Sequence, residues 1–162
     1  MQNKPLLAYP EHQEFEELLN SCGSMTRQLE NLGRTLSVSL LHEGIEDNYF
    51  RRYTVLNLNQ LPVVIACSST DLNNQFFTTL LQNANTTPIG KFLFASQSQV
   101  IRSQIEIELI TAEQISLPHL KDFVQRKYQP SQPLWQRLSI FNYQQETMQL
   151  CEVMLPELEL FY

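Results

Sequence analysis

Tyr49-Phe50-Arg51-Arg52-Tyr53-Thr54-Val55-Leu56-Asn57-Leu58-Asn59-Gln60-Leu61-Pro62-Val63-Val64-Ile65-Ala66-Cys67-Ser68 reads as two strands joined by a two-residue turn. Its β-branched and aromatic residues suit a pleated, half-buried surface, and Asn59-Gln60 is a polar pair short enough for a hairpin. Strands over 49–58 and 61–68 are therefore expected to be antiparallel. Upstream, from Thr35, Leu36, Val38 and Leu40 alternate with Ser37 and Ser39, which predicts another strand with one buried face, and Glu43 before Gly44 marks its expected end. Downstream, Leu72, Phe76, Phe77, Leu80 and Leu81 form one stripe of a helix expected over 72–84.

The same reading extends to both termini. Pro10 followed by Glu11 to Leu19 opens a helix with acidic first turns, ended by Gly23. Ser24 can cap a second short helix from Met25 to Leu32, closed by Gly33 as a left-handed terminus. Thr87 is a candidate cap with Pro88 in the first position of a helix running into Ile89-Gly90-Lys91-Phe92-Leu93-Phe94. Ile105, Ile107 and Leu109 alternate with Glu106 and Glu108 in a strand expected over 100–110. A helix or ordered excursion over 117–128 and a last hairpin over 135–142 and 148–155 complete the chain. Short connections and about six strands predict an α+β class with an antiparallel sheet and helices packed on it, in a single domain over 1–162. Four glycines and no GxGxxG or GxxxxGK[ST] loop disfavour a doubly wound phosphate-binding fold.

With 162 residues and 43% hydrophobic content the chain can close a core without metal or disulfide support. A net charge of -6, with 11 Lys and Arg scattered along the sequence, argues against a nucleic-acid footprint. A few converging cations can still hold an anionic small molecule. Cys22, Cys67 and Cys151 are an odd number without a close pair, which fits a reducing, cytoplasmic setting. Leu6-Leu7-Ala8 is far too short for a signal h-region or a membrane span. His12, His42 and His119 stand far apart with no liganding neighbour at helical spacing, so neither a metal nor another cofactor is expected. A monomer is the expected state.

Two charged residues stand out on apolar strands. In 49–58, Arg52 shares a face with Thr54, Leu56 and Leu58, and Arg51 shares the other with Tyr53 and Val55. Parity alone does not decide which arginine is inward; if the leucine face is the core face, Arg52 needs an anionic partner. In the last strand Glu152 shares a face with Met148, Leu150 and Met154. A carboxylate there needs a cation or a ligand hydroxyl to compensate its burial. An Arg52–Glu152 ion pair and a pocket open to a polar aromatic ligand between them both satisfy the pattern. Lys91 and Arg102 can add positive potential, and no nucleophilic triad is suggested.

Taken in order, the motifs resemble the chorismate pyruvate-lyase (4-hydroxybenzoate synthase) family from about Ser24 to the C-terminus. They are Ser24-Met25-Thr26 with Leu29-Glu30 and Gly33; Glu43-Gly44; Arg52 ten residues before Pro62; Thr87-Pro88-Ile89-Gly90-Lys91-Phe92-Leu93-Phe94; Arg102 before Ile105-Glu106-Ile107; Leu134-Trp135-Gln136-Arg137; and Glu152-Val153-Met154-Leu155-Pro156 near a terminal tyrosine. The resemblance implies a six-stranded antiparallel sheet with a product site buried beneath helical flaps. It also implies cofactor-free conversion of chorismate to 4-hydroxybenzoate, a quinone ring precursor, and pyruvate. Arg52 and Glu152 match its catalytic charges; Met25 and Ile89, the latter in place of a leucine, match its backbone contacts to the aromatic product. One further family arginine falls near Cys67-Ser68, where this chain has no cation; Lys91, Arg102 and Arg137 are the candidates to replace it.

The implied reaction removes a ring proton as an ether bond breaks, driven by aromatisation, so positioning and charge matching suffice. Arg52 is expected to pair with the ring carboxylate and Glu152 to face the oxygen-bearing end of the ring, moving a proton or orienting only. The rival expectation is a non-catalytic aromatic-acid-binding module of the same fold, as in effector domains of bacterial transcription regulators, although no DNA-binding domain fits before Ser24.

Overall fold

A computed structural model of the chain describes residues 13–21, 23–103 and 105–162. Two short helices, α1 (Gln13–Asn20) and α2 (Met25–Glu30), precede three long strands, β1 (Leu36–Glu46), β2 (Tyr49–Leu58) and β3 (Leu61–Asp71). Then follow α3 (Gln75–Asn83), α4 (Gly90–Leu93), β4 (Ile101–Arg102), β5 (Glu106–Thr111), α5 (Pro118–Lys127), β6 (Pro133–Tyr143) and β7 (Glu146–Met154). The strands form one antiparallel sheet in the order β1-β2-β3-β7-β6-β4, with β5 also paired to β6. The α+β class expected from the sequence is borne out, with seven strands because two segments share the β6 edge. Pro10, Glu11 and His12, expected to open α1, lie outside the described residues, as does Cys22.

The β2–β3 hairpin forms as its residues predict. Asn59 (φ 49°) and Gln60 (φ 68°) both take the left-handed conformation, which matches a two-residue turn to the twist of its strands. Gly33 is also left-handed (φ 71°), and Ser24 caps α2 by accepting from the Arg27 N–H at 3.4 Å.

Four expectations are corrected. Strand β1 does not stop at Gly44 but runs to Glu46, with Gly44 opposite Arg51. A register shift between Leu40 and His42 makes Leu41 the extra residue of a bulge, so His42, Gly44 and Glu46 face the side opposite to Leu36, Val38 and Leu40. Helix α3 starts at Gln75, not Leu72, because β3 continues to Asp71, whose Oδ1 accepts from the Asn73 N–H at 2.8 Å and turns the chain. Glu146, from a distant strand, accepts the Phe76 and Phe77 N–H groups at 2.9 and 3.3 Å and replaces a local cap. Thr87 does not cap α4; Ile89 stands in the cap position and Gly90 begins the helix. The strand expected over 100–110 is interrupted, although Ser103 holds to β6 by donating to the Ile140 carbonyl at 2.8 Å.

Both faces of the sheet are covered. On one, Tyr53, Val55, Ile65, Cys67, Cys151 and Val153 pack beneath Leu120 and Val124 of α5. The other face carries two separate apolar clusters. One joins Phe15, Leu18, Met25 and Leu29 to Leu56, Val64 and Met154; the second joins Phe77, Leu81 and Leu93 to Phe50, Phe141, Met148 and Leu150. Members of both clusters border the space between them.

Candidate functional site

That space is a narrow pocket of about 40 Å³, continuous in part with solvent. Its floor is the sheet: Arg52, Thr54 and Leu56 of β2, Ala66 and Ser68 of β3, Leu150 and Glu152 of β7. Its cover is two helix starts, Ser24-Met25-Thr26 and Pro88-Ile89-Gly90, with Leu93, Phe94 and Arg102 at the side. The cover closes at a single tight contact. A Cβ on Gly90 would stand 2.5 Å from Ser24 Oγ, so a side chain there would force the Ser24 hydroxyl to turn away.

Arg52 is the inward arginine, 2% exposed, and Arg51 lies on the other face in an ion pair with Glu46 at 2.8 Å. The Arg52 Nη2 group donates to the carbonyls of Asn85 (2.7 Å) and Thr87 (3.0 Å), which fixes the loop before α4. Asn85 has φ 49°, a left-handed turn that presents this loop. Burial pulls the Arg52 guanidinium below its ordinary pKa, opposed by the charge of Glu43 across the β1–β2 pair. Its Nε is buried with no hydrogen-bond partner among the described residues.

Glu152 sits on the same face, 4% exposed, but Arg52 is not its counter-ion. Its Oε2 lies 3.6 Å from Arg102 Nη2 and 3.5 Å from Arg137 Nε. Arg137, directly opposite on β6, is fully buried and donates to the carbonyls of Leu18 (2.8 Å) and Ser21 (3.0 Å) at the end of α1. Arg102 donates to the Gly23 carbonyl (2.9 Å) and Ser139 Oγ (3.2 Å), with its guanidinium 5.1 Å from the Phe141 ring centre and 5.6 Å from that of Phe94. Glu152 Oε2 accepts no hydrogen bond among the described residues, in spite of its two cationic neighbours.

All four residues singled out from the sequence, Met25, Arg52, Ile89 and Glu152, therefore line one pocket, although they come from four elements or their edges. Of the candidates to replace the cation absent near Cys67-Ser68, Arg102 lines the pocket, Arg137 lies beneath Glu152, and Lys91 is exposed. Ser68 faces the pocket opposite Arg52; Cys67 points into the core under α5, where burial pushes its thiol up to about 11. Thr54 and Ser68 were not singled out, yet strand parity with Arg52 was a sufficient signal for Thr54.

No protein-family model matches the chain, and no curated protein matches it. Solved structures do. The effector domain of PhnF from Mycobacterium smegmatis superposes with a TM-score of 0.56 at 10% identity, covering 83% of this chain and 89% of that one. The ligand-binding domain of a proposed GntR-family transcriptional regulator from Bordetella bronchiseptica gives 0.50 at 16%, covering 74% and 85%. The chain has the chorismate lyase-like fold. The C-terminal domain of the histidine utilization repressor from Pseudomonas syringae pv. tomato str. DC3000 also matches, at 0.50 and 10% identity, over 74% of this chain and 91% of that one. At these identities the likeness is one of fold, and function has to be argued from the pocket. Among the described residues no helix is long and apolar enough to cross a membrane.

Proposed function

We propose that the chain is a chorismate pyruvate-lyase acting in the cytoplasm, which converts chorismate to 4-hydroxybenzoate and pyruvate with Arg52 and Glu152 at the two ends of the ring. The observation that carries this reading is a pair of buried polar atoms without hydrogen-bond partners among the described residues, Arg52 Nε and Glu152 Oε2, on side chains that line one pocket of mixed apolar and hydroxyl-bearing residues. Each such atom costs about 1–3 kcal/mol unless a partner arrives. A para-hydroxylated benzoate supplies both partners, a carboxylate for the guanidinium and a hydroxyl for the carboxylate.

In this reading Arg52 holds the ring carboxylate, assisted by backbone amides near Met25 and Ile89. Glu152 accepts from the ring hydroxyl at the opposite end. Arg102, beside Glu152, takes the carboxylate of the enolpyruvyl group on the neighbouring ring carbon and so supplies the second cation. The proton leaves the hydroxyl-bearing carbon as the bond between the adjacent carbon and the ether oxygen breaks. The electrons of the C–H bond complete the aromatic ring, and those of the C–O bond leave with enolpyruvate, which takes up a proton to become pyruvate. The protein contributes orientation and fixed charges.

Purified protein given chorismate should release pyruvate and 4-hydroxybenzoate in equal amounts. Arg52→Ala and Glu152→Ala should lower kcat/KM by about a hundredfold or more, which corresponds to about 2.7 kcal/mol of transition-state stabilisation. Normal turnover in both folded variants defeats the assignment. A second reading, an aromatic-acid-binding module, is favoured by the similar solved domains, which are described as effector and ligand-binding domains. It predicts tight 4-hydroxybenzoate binding with no pyruvate released.

A further inference from the structure

The opposite face of the sheet carries a second cluster of chemically capable side chains. The Leu41 bulge turns His42 and Glu46 toward α5, and His119 stands in the first turn of that helix. One ligand atom from each of His42, Glu46 and His119 falls within 4.8 Å of the others. Gly44 lies between His42 and Glu46 on the same strand face. His42 Nε2 reaches over Gly44, 3.6 Å from where a Cβ would stand, toward the Glu46 side.

The carboxylate is prearranged. Glu46 Oε2 accepts from Arg51 Nη1 at 2.8 Å and from the Tyr53 hydroxyl at 2.7 Å, which fixes the plane of the group. Its other oxygen, Oε1, is buried without a hydrogen-bond partner among the described residues and lies 3.6 Å from His119 Nε2. The imidazoles of His42 and His119 stack at 4.0 Å with 19° between their planes. A carboxylate with one oxygen held by second-sphere donors and the other presented beside two imidazoles is the donor set of a zinc-type ion.

We propose that His42, Glu46 and His119 bind a divalent transition-metal ion of the zinc type, clasping the β1 edge to α5. Tetrahedral coordination at about 2.0–2.1 Å brings ligand atoms to about 3.4 Å from one another, so His42, on the exposed edge strand, turns out of the stack on binding. The Arg51 charge beside Glu46 weakens the site without occupying Oε1. Nothing in this proposal depends on the reading of the pocket.

The test is titration of the metal-free protein with Co²⁺, read by its visible absorption, followed by displacement with Zn²⁺. One equivalent should bind with the intense bands of a tetrahedral site, and Zn²⁺ should raise the unfolding temperature. His42→Ala, His119→Ala and Glu46→Gln should each weaken binding at least tenfold, and His12→Ala should leave it unchanged. The proposal is overturned if no saturable equivalent binds, if binding survives in His42→Ala and His119→Ala, or if His12→Ala abolishes it. Because His42 is exposed, its variant remains informative should Glu46→Gln fail to fold.

Discussion

Glu152 is a carboxylate whose surroundings had to be assembled from three parts of the chain. Arg137 lies opposite it in the β6–β7 ladder, Arg102 reaches it from β4, and Arg137 also serves the last carbonyls of α1. Removing Arg137 leaves Arg102 as the cation beside Glu152 but takes away a buried, charged hydrogen-bond donor, at a cost of about 3 kcal/mol. Arg137→Met should therefore lower stability by about that amount in urea denaturation, with the Leu18 and Ser21 carbonyls also left open. Replacing the whole cluster, Arg137→Met and Arg102→Met with Glu152→Leu, should recover part of the loss, since apolar residues of similar volume often substitute for buried ion clusters at little cost. A triple variant as unstable as the single one would show that the α1 carbonyls, not the charge, dominate. At this scale the sequence was informative about suspicion only. Parity marked Arg52 and Glu152 as charges on apolar faces, but nothing local indicated that their counter-ions come from other strands.

At the scale of elements, the two short helices over the pocket approach closely at Gly90 and Ser24. Gly90→Ala places a methyl group 2.5 Å from Ser24 Oγ, and Ser24 is also the α2 cap. The variant should turn the Ser24 hydroxyl away and weaken 4-hydroxybenzoate affinity about tenfold or more, while global stability falls by about 1 kcal/mol, the worth of a cap. Calorimetric titration beside thermal unfolding separates the two effects; unchanged affinity would show that the cover tolerates a side chain there. The hairpin turn and the strands of 49–58 and 61–68 were legible because alternation and turn chemistry are local properties. The facing of His42 and Glu46 was not, because a single bulged residue reverses parity, and bulges leave little trace in one sequence. The start of α3 was hidden for a related reason. Its capping carboxylate, Glu146, stands far along the chain, so local stop and start signals misplace it.

Across the whole molecule, β3 and β7 form the centre of the sheet, and Cys67 and Cys151 pair directly there beneath α5. Burial pushes their thiols up to about 11 and about 12 from an ordinary 9.0. Both folded values lie above the unfolded one, so the stability from keeping them protonated is complete below pH 9.0 and is lost as pH rises through the folded values. Under reducing conditions the protein should lose about 3 kcal/mol through Cys67 and about 4 kcal/mol through Cys151 across that range. A Cys67→Ala Cys151→Ala variant should show a shallower alkaline decline in urea midpoint, and an equal slope would rule the thiols out as its cause. Fold class followed from periodicity, whereas the convergence of Met25, Arg52, Ile89 and Glu152 was implied by the family resemblance alone and had no local signal in the residues. Arg102 was one of three candidate cations in the sequence, and the β4–β6 pairing is what sets it, and not Lys91 or Arg137, in the pocket lining.

Consecutive residues of β2 serve opposite faces of the sheet. Arg52 enters the pocket, and Tyr53 donates to Glu46 beside the paired imidazoles. A ligand that moves this strand from either side performs work on the other, and thermodynamic linkage makes that exchange reciprocal. Whatever factor a bound cation imposes on the affinity for an aromatic acid, the acid must impose the same factor on the cation.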